Sequence, residues 1–340
     1  MPRISVVIPT KNRSELLGNT IEYIESQTVP QNQYEVIVID NDSTDDTRNL
    51  LEQKARTYRN LRYAIQEKPG AAATRNVGLR MAKADLILFV DDDVEAEQSL
   101  IQTHLDYHKK YPNASVIGSI RMPWENTTDP FLRYLRDHRI LNPYSPSNGP
   151  IDFSFYHTGN VSTPTSVLLD VGGFNEDFQI YGMEDIELGY RLEKAGSQMV
   201  FAPDAKGIHY SFPGYRSFIE RSEQAGYTLG QFIQMHPELK DRFVESSRIA
   251  RHLKNVHSLY GWSTAVMDPV LGILTKWEST RGTGPLTRLM DVHYTWSIRY
   301  HFFLGYHRHS KEQKRAHPQR VSSVQPALAK KYRVKAKGEL

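Results

Sequence analysis

Three consecutive aspartates, Asp91, Asp92 and Asp93, follow directly on the apolar run LILFV, residues 86–90. Carboxylates two residues apart in an extended chain sit roughly 6–7 Å from each other, at about 3.3 Å per residue. Their repulsion is about 0.6 kcal/mol in water but about 2.5 kcal/mol at an effective dielectric near 20. On a solvated turn such a cluster costs little; partly buried, it asks for a cation. Alternation sends Asp91 and Asp93 to one side of an extended strand and Asp92 to the other. Hard oxygen ligands of this kind suit Mg²⁺ or Mn²⁺, which in turn bind a pyrophosphate.

A second constellation lies in GGFNEDFQIYGMEDIELGYRLEKAG, residues 172–196. Glu184 and Asp185 open a helical pattern there. They either complement the helix dipole, at about 0.3–1 kcal/mol each, or supply a general base aimed into a cleft. The third feature is His209 in VFAPDAKGIHYS, near a predicted strand end. Taken alone it fits a structural role as well as a ligand.

These residues need elements to hold them. The first hundred residues alternate apolar runs with helical periodicity: ISVVIPT, then SELLGNTIEYIESQ with Ser14 as a candidate N-cap, YEVIVID, STDDTRNLLEQKAR, LRYAIQE, AAATRNVGLRMAK and LILFV. This rhythm predicts an α/β fold with a doubly wound, mostly parallel sheet. In such sheets ligands bind beyond the carboxyl ends of the strands. Three predicted strands end there in polar residues: Pro9 and Thr10, Asp40 to Asp42, and Asp91 to Asp93. No GxGxxG follows the first strand and no P-loop is present, which argues against a dinucleotide site or a Walker ATPase. Acidic residues with a divalent metal are an alternative way to hold a nucleotide diphosphate.

Bulk composition sets the outer bounds. With 340 residues, 39% of them hydrophobic and 24% charged, the chain reads as a globular protein. Cysteine is absent, which excludes disulfides, thiolate zinc sites and a cysteine nucleophile. The net charge of +3 hides an asymmetry: residues 301–340 hold ten Lys or Arg against two Glu. That basic end suits anionic lipid headgroups, or simply a solvated, flexible tail. Neither a signal-peptide succession nor a membrane-spanning segment is evident, since GWSTAVMDPVLGILTKW, residues 261–277, is short and carries Asp268 and Pro269. The expected location is cytoplasmic, with peripheral contact at the inner membrane face left open.

Together the pieces VVIPTKNR, VIDNDSTDDT, KPGAAATRNVGL, FVDDD and TGNVSTPTSVLLDVGGFNEDFQIYGMEDIELGYRLEKAG resemble the family 2 glycosyltransferases of the GT-A fold. The resemblance covers roughly residues 3–210, five pieces in order. It implies a GT-A catalytic domain over 1–214, an accessory helical region over 215–300 and a basic tail over 301–340. It implies that Pro9, Thr10 and Arg13 form the first nucleotide-contacting loop, that Asp40 holds base and ribose with Asn41 beside it, and that Arg75 lies near the base or diphosphate. FVDDD matches the family's DxD element, so Asp91 serves the ribose side and Asp93 is the direct metal ligand, with His209 as a further metal ligand. Asp92 is grouped with the nucleotide residues but, pointing the other way, is expected to be the most replaceable of the three. Asp185 matches the catalytic base.

The activity implied is an inverting, metal-dependent sugar transfer from a nucleotide diphosphate, with Mn²⁺ or Mg²⁺ as cofactor, in polysaccharide or glycoconjugate synthesis. UDP or dTDP donors are favoured and GDP is possible, because Asn41 stands where family members often carry aspartate. The segment around residues 172–196 also resembles retaining polypeptide N-acetylgalactosaminyltransferases and galactosyltransferases, which leaves the stereochemistry open. A nucleotidyltransferase would also set carboxylates and a metal beside a doubly wound sheet, and a non-catalytic carbohydrate-binding scaffold could keep the same fold. On the acceptor side, Glu184, Tyr181 and Trp124 are candidates, with Tyr156 and His157 as further platform residues. The acceptor is a saccharide, lipid-linked or other hydroxyl; a homodimer stays open, and no nucleic-acid partner is implied.

Overall fold

The computed structural model describes residues 1–140, 149–210, 212–245 and 285–316. Four parallel strands form one half of a nine-stranded mixed sheet: β1 (Ile4–Thr10), β2 (Tyr34–Asp40), β3 (Leu61–Ile65) and β4 (Leu86–Val90), in the order β3-β2-β1-β4. Between them run α1 (Ser14–Glu25), α2 (Thr47–Thr57) and α3 (Ala71–Met81). Alternate residues of these strands serve opposite faces. Ile4, Val6 and Ile8 join one core cluster and Val7 the other, so the strands are apolar on both sides. Helix α3 lies so close to β1 that a Cβ on Gly78 would come within 2.3 Å of the Val7 side chain. Ser14 does not cap α1; it is the first helical residue, and the Asp45 side chain takes its N–H instead.

The other half of the sheet is largely antiparallel. Beyond β4 come β8 (Asn160–Pro164), β6 (Ser115–Arg121), β9 (Met199–His209) and β5 (Val94–Ala96), with β7 (Gly149–Ile151) also on β9. Strand β8 runs antiparallel to both β4 and β6. This insertion makes the sheet mixed, and it carries a segment from seventy residues downstream to the ends of the parallel strands.

Helices α4 (Leu100–Lys110), α5 (Pro130–Asp137), α6 (Thr165–Asp170) and α7 (Glu184–Lys194) cover the sheet, and α8 (Tyr215–Met235) packs along α9 (Pro285–Ala316). Where those last two cross, the backbones nearly touch: a Cβ on Gly226 would lie 1.7 Å from the Phe302 carbonyl oxygen, and one on Gly305 1.8 Å from that of Glu223. Glycine alone permits that approach. Residue 300, the expected start of the basic tail, falls inside α9, because this helical packing continues to Ala316. The segments 261–277 and 317–340, on which the membrane and tail expectations rest, lie outside the described residues. Among the described residues no helix is long and apolar enough to cross a membrane.

Candidate active site

The chain leaves β4 at Val90, passes Asp91–Asp93 and enters β5 at once. Strand β5 pairs antiparallel with the end of β9, Val94 opposite His209, and the Tyr210 N–H donates to the Asp93 carbonyl at 2.8 Å. That pairing is what brings the distant histidine to the aspartates. His209 Nε2 lies 2.6 Å from Asp93 Oδ1 and 3.9 Å from Asp91 Oδ2. One ligand atom from each of Asp91, Asp93 and His209 falls within 4.8 Å of the others. Despite the short contact, Asp93 Oδ1 is buried without a well-formed hydrogen bond. A buried, unsatisfied carboxylate oxygen beside a second carboxylate and an imidazole fits a divalent ion such as Mn²⁺ or Mg²⁺.

The electrostatics of this group are coupled. Burial by itself would raise the Asp93 pKa, but the neighbouring His209 and Arg13 outweigh it and hold Asp93 below its ordinary range. For His209 burial acts downward, and the adjacent Asp93 and Asp91 reverse it, leaving the imidazole raised.

Arg13 lies under the cluster, with Nη1 2.9 Å from Asp92 Oδ1 and 2.8 Å from Asp93 Oδ2. Asp92 does not follow strand alternation: it lies with Asp93 in the turn after β4 and shares Arg13 Nη1 with it. It is buried, accepts the Thr10 hydroxyl at 2.7 Å, and offers its carbonyl to Thr20 Oγ1 at 3.0 Å. Burial pushes it up to about 6, with Arg13 and Thr10 pulling back. This buried anchoring is at odds with its being the most replaceable of the three. Of the residues expected to touch a nucleotide, Thr10 and the Nη1 of Arg13 are engaged with Asp92, while Pro9 lies half-buried one residue before the end of β1.

At the end of β2, Asp40 is fully buried. One oxygen accepts the Ser43 N–H and the other has no hydrogen bond, with Arg48 3.9 Å away. Asn41 donates to the Gln66 and Lys68 carbonyls at 2.8 and 2.9 Å and accepts the Gly70 N–H at 3.3 Å. Its amide therefore ties the loop after β3 and is already committed, rather than free to read a base.

Arg75, on α3 and only 7% exposed, joins the two acidic constellations. Its Nη2 donates to Asp91 Oδ1 at 3.3 Å, and Nη1 lies 3.6 Å from Glu184 Oε1 and 3.7 Å from Asp185 Oδ1. The expected place near a base or diphosphate becomes a hub among three carboxylates, its guanidinium 5.7 Å from the Phe174 ring centroid.

Glu184 and Asp185 open α7. The Glu184 carboxylate accepts the Gly182 N–H at 3.0 Å, and burial pushes its pKa up to about 7, Asp185's charge adding to the effect. Asp185 Oδ2 accepts both the N–H (3.0 Å) and the hydroxyl (2.9 Å) of Thr158. Its Oδ1 is buried and makes no hydrogen bond. Nothing in the sequence singles out Thr158; a threonine in a loop carries no local signal that it will meet a helix start 27 residues on.

Of the acceptor-side aromatics, Tyr181 is 53% exposed, with the Arg221 guanidinium 5.7 Å from its ring centroid. Trp124 is not a platform: it is 2% exposed, packed with Phe131, Tyr134, Phe218 and Tyr294 where α5, α8 and α9 meet. Tyr156 is likewise fully buried, while His157 is exposed. Large aromatic rings near a sheet end are claimed by whichever core closes over them. An apolar cavity of about 220 Å³ lined by Leu229, Phe302 and Tyr306 shares no residue with the acidic clusters.

Residues 5–172 match the family described as "Glycosyl transferase family 2", and residues 140–214 that described as "N-terminal domain of galactosyltransferase". A validoxylamine A glucosyltransferase of Streptomyces hygroscopicus subsp. jinggangensis is 31% identical over 269 residues. The match takes in 70% of this chain and spans 62% of that relative's length. Among solved structures, the mannosyltransferase PcManGT from Pyrobaculum calidifontis, in complex with GDP-Man and Mn²⁺, superposes with a TM-score of 0.61 at 18% identity, covering 88% of this chain and 86% of that one. Staphylococcus aureus TarS 1–349 in complex with UDP-GlcNAc gives 0.54 at 16% identity, covering 91% and 92%. At these identities the two structures bear on the fold alone.

Proposed function

The chain belongs to glycosyl transferase family 2 and has the GT-A fold, and on that premise we propose that it moves a sugar from a nucleotide diphosphate to an acceptor hydroxyl with inversion at the anomeric carbon. The observation that carries the reading is the meeting of two acidic groups on one arginine: a metal-fitting trio at the ends of β4 and β9, and a carboxylate with one unbonded oxygen at the start of α7.

Asp91, Asp93 and His209 would hold a divalent ion, which when bound neutralises charge on the departing diphosphate. Asp185 would take the acceptor proton on its carboxylate. Arg75 balances Asp91, Glu184 and Asp185 so that three carboxylates coexist, and Arg13 does the same below for Asp92 and Asp93. Asp40 would lie on the nucleoside side, where the amide of Asn41 is already committed to the loop after β3. That PcManGT is in complex with GDP-Man and Mn²⁺ and TarS with UDP-GlcNAc supports a nucleotide-sugar donor without choosing the base.

Calorimetry with UDP-, dTDP- and GDP-sugars in Mn²⁺, repeated in EDTA, tests the reading. One donor class should bind only with metal and be converted to the nucleoside diphosphate. Binding indifferent to EDTA would remove the metal from the scheme, and release of pyrophosphate would make the protein a nucleotidyltransferase. The product anomer, read by NMR against the donor, distinguishes inversion from retention.

A further inference from the structure

Resting on the metal site of that reading, we propose that Asn160 is the positioning residue that presents His209 to the metal, by clamping a bulge in β9 across Gly118. Strand β9 does not run evenly along β6. Gly118 stands beside Ala202 but Ser119 beside Lys206, so Pro203, Asp204 and Ala205 have no partner in that register. This odd excess reverses the alternation of side chains along the rest of β9. It therefore decides which face of the sheet carries His209, and a slip of one residue would turn the imidazole to the other face. The metal trio tolerates no such slip. His209 Nε2 lies 2.6 Å from Asp93 Oδ1, whereas one residue of strand spans about 3.3 Å.

What holds the bulge comes from two strands away. Asn160, buried at the start of β8, donates from Nδ2 to the Ala205 carbonyl at 2.9 Å. Strand β6 lies between β8 and β9, and the amide crosses it only because residue 118 has no side chain. A Cβ on Gly118 would lie 2.1 Å from Asn160 Nδ2 and 2.6 Å from the Ala205 oxygen. The backbone of Asn160 is paired with Val90, the residue before the aspartates. One residue thus ties together both strands that deliver the metal-fitting groups. Nor can its amide turn over. Oδ1 lies 2.8 Å from Nε2 of His104, which is fully buried on α4 and kept neutral by that burial. With Nε2 donating to Asn160, His104 Nδ1 accepts the Ser162 hydroxyl at 2.8 Å, and that oxygen accepts from His108 Nε2, also at 2.8 Å. Each proton in this buried chain has one place, and the end that meets β9 is an N–H.

Two variants break the clamp from opposite sides. Asn160→Leu removes the donor with an apolar side chain of similar shape, and Gly118→Ala pushes the amide off its carbonyl with Asn160 unchanged. Asn160→Ala replaces the first should it not fold. Ser162→Ala is the control, because it cuts the histidine end of the same buried chain and spares the bond to β9. Mn²⁺ alone is added to the full chain, and bound ion is counted from loss of the free-ion EPR signal. Affinity should fall about tenfold in both clamp variants, as when the outer groups that orient a metal ligand are lost, and should hold in Ser162→Ala. His209→Ala should lose at least as much, and adding Asn160→Leu to it should cost nothing more, because the clamp acts through His209. Full Mn²⁺ affinity in the clamp variants, an equal loss in Ser162→Ala, or a further tenfold loss in the double variant overturns the proposal. Each of those outcomes leaves the wild type binding Mn²⁺. A wild type that takes up no more Mn²⁺ than Asp93→Ala is the separate failure, and it removes the metal from the transferase reading as well.

Discussion

The two acidic clusters handle their charge in opposite ways. At the end of β4, three carboxylates meet two basic groups, Arg13 from below and His209 from the strand edge, and the pair nearest the edge fits a metal. At the start of α7, two carboxylates share a single buried arginine with Asp91, and one of them is pushed up to about 7. The first cluster sets a cation-fitting trio against two basic groups, and the second leaves one carboxylate oxygen without a hydrogen bond. What separates them is where compensation comes from: a strand edge that a ligand can reach, against a helix packed into the core.

The contrast can be broken at its arginines first. Arg75 is nearly enclosed, whereas the Arg13 side chain is about a third exposed (34%). Removing the cation from a buried cluster leaves uncompensated charge, so Arg75→Gln should lower stability by about 3–5 kcal/mol. Arg13→Gln should lower it by less, because water reaches about a third of that side chain (34%) although Asp92 and Asp93 are buried. Urea denaturation measures both, and equal losses would mean that the clusters are not differently enclosed.

Function should divide along the same line. Asp93→Ala should abolish metal-dependent donor binding by calorimetry. Asp185→Asn should cut turnover at least about a hundredfold and leave that binding nearly intact. A loss of donor binding in both variants would merge the clusters into one site.

The smallest effect concerns pH. A carboxyl whose folded-state pKa is raised holds its proton more tightly when folded, so stability is greatest at low pH and declines as pH climbs through the folded value. For Glu184 that window runs from about 4.5 to about 7, and the decline is at most about 3 kcal/mol. Glu184→Gln should flatten the fall in Tm between pH 5 and 7. A slope that survives the substitution belongs to the other raised groups, among them Asp92, raised to about 6, with Glu25 and His209.

Much of this molecule was written locally. The bounds of β1, β2 and β4 coincide with their apolar runs, because burial on both faces of a parallel strand demands an unbroken stretch of such residues. Gly196, at φ 89°, follows α7 in the left-handed conformation that stops a helix, whereas the strand period did not extend to Asp92, which lies in a turn with Asp93. Asp91 and Asp93 stood out as charge beside an apolar run, whereas Asp185 and His209 were singled out only by the resemblance to a family.

Their company did not. Ser14 lost its cap role to Asp45, Trp124 was drawn into the core between α5, α8 and α9, and α9 carried helix past residue 300. Arg75 became the shared counter-ion of two clusters, and Thr158 the holder of Asp185. Each outcome depends on which distant segments pair, and the antiparallel insertion of β8 between β4 and β6 decides that for the site. Local pattern records whether a residue wants to be buried or charged; only the closed sheet determines beside which partner that demand is met.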